Sequence, residues 1–320
     1  MEPITKAGIS SQTRVFVRCD LDVPVEDGKV QDTYRLDSDL KTLRFIIDKG
    51  GVPVIAGHMD RPGGKVVEEF STKHLDRYFD SKLGAGKYEL LENLRFDSRE
   101  EGNSEEFAKE LVEQTKTSIY VNEAFTNSHR EHTSMVQLPK LLPSYVGFQV
   151  LEEVEVLGGL LKDPARPFVA IVGGSKIETK KPFVKKFLKI CDAVLVGGKI
   201  GQDWDEETPE NLHLASDYID GMDIGKETMN DFAEVVSTAK TVVWSGPMGK
   251  YEEEEYITGT HLLADEILAS GAYCVVGGGD LIAALKEVDL LDLFSFASVG
   301  GGAMLQFLED GALPALEVLQ

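Results

Sequence analysis

The sequence is poor in cysteine and has no long apolar run. Its three cysteines, Cys19, Cys191 and Cys274, stand far apart in a chain of 320 residues. Their odd number and wide spacing predict buried reduced thiols and argue against a disulfide framework or a metal site. No apolar run reaches the roughly 20 residues that a membrane span needs, and the first residues lack the basic and apolar regions of a signal peptide. We therefore expect a cytoplasmic protein that has no membrane partner.

Positive charge is also scarce. Against 55 acidic residues there are 33 lysines and arginines, which leaves a net charge of −22. Such a chain repels nucleic acid, so we expect no nucleic-acid partner. The ten arginines all lie at or before Arg166, and beyond it lysine is the only strongly basic residue. A guanidinium is a planar fork suited to carboxylate and phosphate oxygens, whereas an ammonium is a point charge. The two halves therefore predict two different anion sites.

Two familiar nucleotide-binding motifs are absent, namely the GxxxxGK[ST] loop and a strand–GxGxxG–helix unit followed by an acid about 20 residues on. Short β-branched runs alternate with helical stretches instead, which predicts parallel sheets covered by helices. In the first half we expect strands at 14–18, 52–56, 88–91, 118–121 and 145–150, and helices at 36–49 and 105–114. In the second half we expect strands at 168–172, 193–196, 241–244, 273–276 and 294–299.

Each strand expected in the second half runs into a glycine-rich loop. The loops are 173–176, 197–198, 245–249, 277–280 and 300–302. In an open parallel sheet, ligands bind beyond the carboxyl ends of the strands. Glycine lets backbone N–H groups approach a phosphate there, and the following helix contributes its positive N-terminus. One glycine pair alone is explained by a tight turn, but five such loops predict phosphate binding.

The spacing of apolar residues predicts a helix at 151–162 that joins the two halves as a hinge. The expected fold is α/β, with two Rossmann-like parallel-sheet lobes joined by this hinge helix. We place the first lobe at 1–150, the hinge helix and linker at 151–167, and the second lobe at 168–302. The remaining segment, 303–320, is expected to pack back on the first lobe.

Basic residues of the first half stand just past the expected strand ends or at the start of the first helix. They are Arg18, Arg35, His58, Arg61, Arg95, His129, Arg130 and His132. Any one of these arginines alone is more simply explained as a surface ion pair. In so acidic a chain, the whole set predicts a site for a small polyanion.

Eight segments resemble, in order, the motifs of phosphoglycerate kinases. They are 17–24, 58–62, 92–96, 122–132, 173–180, 244–249, 277–280 and 300–303. The resemblance runs from about residue 8 to the C-terminus. It implies a glycolytic phosphotransferase that moves the acyl phosphate of 1,3-bisphosphoglycerate to Mg-ADP, giving 3-phosphoglycerate and ATP reversibly. It also implies small-molecule partners only, a monomer, and lobe closure that excludes water from the reaction.

The resemblance implies roles for individual residues. Phosphoglycerate would be held by Asp20, Asp22, Arg35, His58, Arg61, Arg95 and Arg130. The nucleotide would be bound by Gly174, Lys176, Lys180, Gly198, Pro247, Glu252, Gly278, Gly279 and Asp280. Catalysis would depend on Arg35, Lys176, Gly278 and Gly279, which stabilise the charge of the phosphoryl group in transfer. Glu252 would meet the ribose, and Asp280 the magnesium ion that the nucleotide carries.

Most departures from the family pattern fall on the second lobe. The interval between 198 and 223 is short and acidic where the family has several dozen more residues, which predicts a reduced nucleotide lobe. Unusual residues for the family stand at Asp22, Lys199, Ser245, Lys250, Leu281 and Val299. Three possibilities therefore stay open: an active shortened kinase, a paralogous kinase with another nucleotide or acyl-phosphate substrate, and a non-catalytic relative that binds phosphorylated ligands.

Overall fold

The computed structural model describes residues 1–175 and 177–319. The chain divides into two compact units. The first comprises Met1–Glu155 together with the residues from Ala312 on, and the second comprises Val156–Gly311. Each unit is built on a parallel sheet covered by helices, so the expected α/β class is confirmed. In the ranges described, no helix combines the length and apolar character needed to span a membrane.

The sheet of the first unit has the order β5-β4-β1-β6-β7, with all neighbours parallel. The strands are β1 (Arg14–Arg18), β2 (Val25–Glu26), β3 (Lys29–Val30), β4 (Val52–Ala56), β5 (Glu89–Leu90), β6 (Ile119–Asn122) and β7 (Ser144–Val146). The helices are α1 (Tyr34–Asp48), α2 (Asp76–Leu83), α3 (Ser98–Glu101), α4 (Glu105–Thr115) and α5 (Phe148–Lys162), which continues into the second unit. Strands β2 and β3 form a separate hairpin.

The central strand β1 is apolar on both sides because helices cover both faces of the sheet. Val15 and Val17 belong to a core cluster that also contains Leu36 and Leu40 of α1. Phe16, between them in sequence, stacks on Tyr120 of β6 with ring centroids 6.0 Å apart. The β-branched residues that predicted this strand are therefore also the residues that pack in the core.

One expected strand, 145–150, is wrong in its second half. Strand β7 ends at Val146, and α5 begins at Phe148. The Phe148 N–H donates to Thr42 Oγ1 at 2.9 Å, and the Gln149 N–H donates to Glu123 Oε1 at 3.2 Å. Side chains from distant segments thus satisfy the first N–H groups of the helix and fix its start.

The sheet of the second unit has the order β10-β9-β8-β13-β14-β15, again with all neighbours parallel. The strands are β8 (Phe168–Val172), β9 (Ala193–Val196), β10 (Leu212–Leu214), β11 (Tyr218–Ile219), β12 (Asp223–Ile224), β13 (Thr241–Ser245), β14 (Tyr273–Gly277) and β15 (Phe296–Ser298). The helices that follow are α6 (Ile177–Ile190), α7 (Gly198–Gln202), α8 (Lys226–Ser237), α9 (Thr258–Ser270), α10 (Gly279–Glu287), α11 (Gly301–Asp310) and α12 (Pro314–Glu317).

This strand order is that of dinucleotide-binding sheets, with the reversal between β8 and β13. The five strands expected in this half are all present, whereas β10 and the antiparallel hairpin β11–β12 were not predicted. Helix α11 belongs to the second unit. Helix α12 belongs to the first, where Ala315 packs with Met135 and Val136.

Candidate functional site

Charged side chains collect at the carboxyl ends of the strands in the first unit. Arg18 is the last residue of β1, His58 follows β4, and Arg95 follows β5. Because these strands are parallel neighbours, their carboxyl ends lie along one edge of the sheet, where α/β folds bind ligands. Arg35 lies in the first turn of α1 and reaches the aspartates that follow β1.

Arg35 is held by two of those aspartates. Its Nε lies 3.5 Å from Asp20 Oδ2 and its Nη1 lies 3.9 Å from Asp22 Oδ2. Nη1 also donates to the Asp22 carbonyl oxygen at 2.9 Å. Burial raises the pKa of Asp20, and the Arg35 charge opposes that rise. Since 34% of the Arg35 side chain remains exposed, the guanidinium is oriented by the protein and still open to a ligand.

His58 is a neutral imidazole in this group. Its pKa is held well below the ordinary value by burial and by the charges of Arg18, Arg95 and Arg130. Arg18 Nη2 lies 2.9 Å from His58 Nδ1. A guanidinium can only donate, so Nδ1 accepts and the ring proton lies on Nε2. Nε2 faces Asp22 at 3.9 Å, so His58 presents an N–H donor on that side.

Arg95 carries a guanidinium that is only partly satisfied. Arg95 as a whole is only 2% exposed. Nη1 donates to the Asp60 carbonyl oxygen at 2.7 Å, and Nε lies 3.4 Å from Glu101 Oε1. Nη2 is buried and has no hydrogen-bond partner among the residues that the structure describes. Buried donors are almost always paired, so Nη2 is a candidate donor for a ligand.

The loop after β4 is fastened to the loop after β1. The Arg61 N–H donates to Asp60 Oδ1 at 2.7 Å, and the Asp60 N–H donates to Asp22 Oδ1 at 2.9 Å. The Arg61 side chain itself is exposed. The Arg130 charge acts on both His58 and Arg95. The structure therefore brings together Asp20, Asp22, Arg35, His58, Arg95 and Arg130, with Arg61 at the exposed margin.

Arg18 is fully buried and holds the cluster through its hydrogen bond to His58. Its Nε donates to Ser134 Oγ at 2.9 Å, its Nη1 donates to the Cys19 carbonyl oxygen at 2.5 Å, and its Nη2 binds His58. Ser134 donates through its N–H and its hydroxyl to the buried Glu100, at 3.0 Å and 2.6 Å. Sequence reasoning missed Ser134 and Glu100. Ser134 lies 116 positions from Arg18, and no sequence pattern connects the two.

The second unit contains a cavity of about 320 Å³ on its glycine-rich loops. Five of the residues expected to bind the nucleotide line it: Gly174, Gly198, Pro247, Glu252 and Asp280. The loops after β8 and β13, where the strand order reverses, both contribute to the lining. Doubly wound sheets bind nucleotides at this reversal, so the cavity lies where the fold class predicts a ligand.

Glycine is required where the loops after β8 and β13 meet. Gly246 has a φ of +89°, and a Cβ there would lie 2.3 Å from the Gly173 carbonyl oxygen and 2.4 Å from Lys180 Nζ. Residues other than glycine rarely adopt such an angle. The space lets Lys180 Nζ donate to the carbonyl oxygens of Gly173 and Ser245, at 2.7 Å and 3.2 Å. The absence of a side chain at Gly246 therefore leaves the space that the Lys180 ammonium occupies.

Lys180 keeps an ammonium beside the cavity. Burial lowers its pKa to about 8, and the Asp280 carboxylate opposes that change. At neutral pH the group still carries its charge for most of the time, so it offers a cation to a phosphate. Lys176, expected to be catalytic, lies outside the described residues.

The last two glycine loops pack on each other. Gly278, with a φ of +106°, precedes α10, and Gly279 is the first residue of that helix. A Cβ on Gly301 would lie 2.3 Å from Gly278 Cα. Among the described residues, only Asp280 of these two loops lines the cavity. The loop at 300–302 therefore packs against the neighbouring glycine loop and does not line the cavity.

Two carboxylates at the cavity, Glu252 and Asp280, could take part in holding a metal ion. Within 1–175 and 177–319, no group of three or more His, Cys, Asp or Glu side chains could hold one alone. Mg²⁺ is commonly bound by one or two carboxylates together with substrate phosphates. Carboxylates beside phosphate-binding loops therefore fit a magnesium ion that arrives with a nucleotide.

Comparison with known proteins gives one consistent result. The family model described as "Phosphoglycerate kinase" matches residues 6–86, 77–204 and 202–311. A phosphoglycerate kinase of Leptospira biflexa is 35% identical over 379 residues, which cover 96% of this chain and 95% of the relative. The enzyme of that name from Borreliella burgdorferi is 32% identical over 379 residues, covering 96% of each chain.

Solved structures agree with the sequence comparison. The structure of phosphoglycerate kinase from Coxiella burnetii matches with a TM-score of 0.85 and 30% identity, covering 99% of this chain and 98% of that one. The structure from Pyrococcus horikoshii OT3 matches with a TM-score of 0.85 and 26% identity, covering 100% and 98%. Both sequence alignments span 379 residues against 320 in this chain, so the relatives contain positions that it lacks.

Proposed function

This chain belongs to the phosphoglycerate kinase family, and we propose that it is a working kinase with one ligand site in each unit. It transfers the acyl phosphate of 1,3-bisphosphoglycerate to a nucleoside diphosphate, ADP in the family's reaction, and gives 3-phosphoglycerate and the triphosphate. The arginine cluster of the first unit binds the phosphoglycerate, and the cavity of the second binds the nucleotide.

The buried Nη2 of Arg95 is the observation that carries the first assignment. It is a charged donor with no acceptor among the described residues, and an anionic ligand would supply one. Neutral His58 adds an Nε2–H donor, and Arg130 adds charge. Because 3-phosphoglycerate has a phosphate and a carboxylate, it requires cationic groups at both ends. This cluster of guanidinium groups, one of them held by Asp20, supplies them.

Transfer of a phosphoryl group depends mainly on positioning and electrostatic stabilisation. Arg35 cannot turn freely because Asp20 and Asp22 hold it, so its charge is oriented before the reaction begins. Lys180 offers its ammonium to the nucleotide phosphates, and Lys176 is assigned to the phosphoryl group in transfer. We assign the ribose hydroxyls to Glu252.

Asp280 would hold the nucleotide's Mg²⁺, which when bound neutralises part of the phosphate charge. The three cysteines are free and buried. Their reduced state agrees with a cytoplasmic site of action.

The assignment is tested by the reverse reaction, in which 3-phosphoglycerate and Mg-ATP consumption is coupled to NADH oxidation by a dehydrogenase. We expect turnover by the wild type and a loss of about a hundredfold to a thousandfold for Lys176→Ala, as for removal of other groups that stabilise charge in the transition state. Lys189→Ala, which removes an exposed lysine near the end of α6, serves as the control. Wild-type protein that binds 3-phosphoglycerate and shows no turnover with any nucleotide would exclude a working kinase.

A further inference from the structure

One side of the second unit's cavity is built by the short hairpin β11–β12. Gly221 and Met222, at its turn, line the cavity. Met222 is 47% exposed although it is a large apolar residue. The hairpin is held in place because the Lys250 N–H donates to the Met222 carbonyl oxygen at 2.9 Å and Gln202 Nε2 donates to the Gly221 carbonyl oxygen at 2.8 Å. An apolar side chain on a backbone held in this way suits a flat ring.

The rest of the cavity provides for the charged part of a nucleotide. The glycine loops at Gly174 and Gly198 line it and suit phosphates. The Lys180 ammonium does not line the cavity but is bonded to the loop after β8, at the Gly173 carbonyl oxygen. Glu252, assigned to the ribose, lies two residues beyond Lys250 in the loop that is fastened to the hairpin. The base therefore falls on the hairpin side, beside Met222, a step that rests on the proposed function.

Two lysines line the cavity on this side. The Lys250 backbone N–H is hydrogen-bonded to the hairpin. Lys199 lies in α7, and Gln202, the last residue of that helix, is also hydrogen-bonded to the hairpin. Their ammonium groups pair with Glu253 and Asp203. Of the described residues, those two acids do not line the cavity, whereas both lysines do. Each ammonium can only donate, and each would have to turn from its exposed ion pair toward the cavity to meet a base.

We propose that Lys199 and Lys250 select nucleotides whose purine has a carbonyl oxygen at position 6, as guanine and hypoxanthine have. An ammonium can donate to this oxygen and to the neighbouring N7. Adenine keeps N7 but has an amino group at position 6, which is itself a donor, so the ammonium loses one of its two acceptors. Because a hydrogen bond to a charged group is strong, we expect a preference of roughly tenfold or more.

Inosine and adenosine nucleotides provide the sharpest comparison. ITP and ATP differ only in the base, at position 6 and its neighbouring protonation site. In the coupled reverse assay we expect kcat/KM for Mg-ITP to exceed that for Mg-ATP by about tenfold or more, and Mg-GTP to follow ITP. Lys250→Val and Lys199→Gly should each lower the ITP:ATP ratio, and the double variant should bring it close to one. Lys189→Ala removes the same charge elsewhere and should leave the ratio unchanged.

A wild type that prefers ATP, or an unchanged ratio in the double variant, would overturn this assignment. Calorimetry with IDP and ADP separates it from the proposed function, because binding needs no turnover. Tighter IDP binding without phosphoryl transfer would refute the kinase and support the base preference. Equal affinities, or binding of neither, would overturn the preference. Tripolyphosphate that binds the wild type clearly more tightly than the double variant would show that the two lysines bind phosphate, and would also overturn it.

Discussion

The two proposed anion sites differ in what builds them, side chains in one and backbone in the other. In the first unit, side chains from distant segments hold one another, as Arg18, His58 and Ser134 do through hydrogen bonds. In the second unit, the backbone forms the site, because Gly174 and Gly246 adopt positive φ angles and leave space for close approach. The first site should therefore fail when a charge is removed, and the second when a methyl group is added.

Removal of the buried Arg18 charge should have the largest effect on stability. In Arg18→Met, Glu100 and Ser134 lose the guanidinium that they face. Breaking one partner of a buried ionic network costs about 3–5 kcal/mol, which urea unfolding would measure. Arg44→Met, at an exposed position of α1, is the control. Adding Glu100→Gln should recover part of the loss, and an Arg18→Met protein as stable as the wild type would contradict the supporting role.

A methyl group at Gly246 should damage the second site selectively. In Gly246→Ala the Cβ meets the Gly173 carbonyl oxygen and Lys180 Nζ at a φ of +89°. Backbone strain of this kind costs on the order of 1–3 kcal/mol, and here we expect loss of nucleotide binding by calorimetry. Binding of 3-phosphoglycerate should be unchanged. Gly271→Ala, with a φ of +68° and open space, should leave both affinities intact, so equal behaviour of the two variants would refute the prediction.

The first unit should also respond to pH through a carboxyl behind its site. Burial raises the pKa of Glu123 to about 7 from 4.5, while Thr42, Gln149 and Lys41 oppose the shift. The nearby Asp39 and Cys19 are buried with it. The folded chain holds a proton that the unfolded chain releases, so this contribution to stability is complete below pH 4.5 and is lost as pH rises through about 7.

The stability that Glu123 loses between pH 4.5 and about 7 amounts to roughly 3 kcal/mol. Glu123→Gln keeps an acceptor for the start of α5 and removes the titration, so the difference in unfolding free energy between variant and wild type should grow from low to neutral pH. Parallel pH profiles of the two proteins would show that Glu123 does not titrate in this range.

The smallest effect is expected in the short acidic segment of the second unit. Lys185 Nζ lies 2.7 Å from Glu206 Oε2, with 52% and 33% of the two side chains exposed. Exposed ion pairs contribute about 0–1 kcal/mol. Lys185→Ala should therefore change the free energy of unfolding by less than about 1 kcal/mol, and less again at high salt. A larger loss, insensitive to salt, would mean that this segment is a structural support.

Local features of both units could be predicted from the sequence. Strands β1 and β8 coincide with the runs at 14–18 and 168–172, because continuous β-branched runs are what a sheet covered on both faces requires. The glycine loops also follow from local pattern. The start of α5 could not be predicted, because Thr42 and Glu123 fix it from far along the chain.

The same distinction applies to the sites. Arg95 and Arg35 could be placed at the edge because one stands just past an expected strand and the other at the start of the first expected helix. The partners that orient the first cluster, Ser134 and Glu100, are joined to it only by tertiary structure. The hairpin with Met222 was missed because its strands are two residues long, too short for a period to show.

The most direct test of two cooperating anion sites is phosphoryl transfer by Arg35→Ala in the coupled reverse assay, measured beside nucleotide binding by calorimetry. We predict turnover by the wild type, a loss of about a hundredfold to a thousandfold in the variant, and nucleotide affinity within a factor of about two. Wild-type protein without turnover, or an Arg35→Ala protein as active as the wild type, would contradict the assignment of the first site.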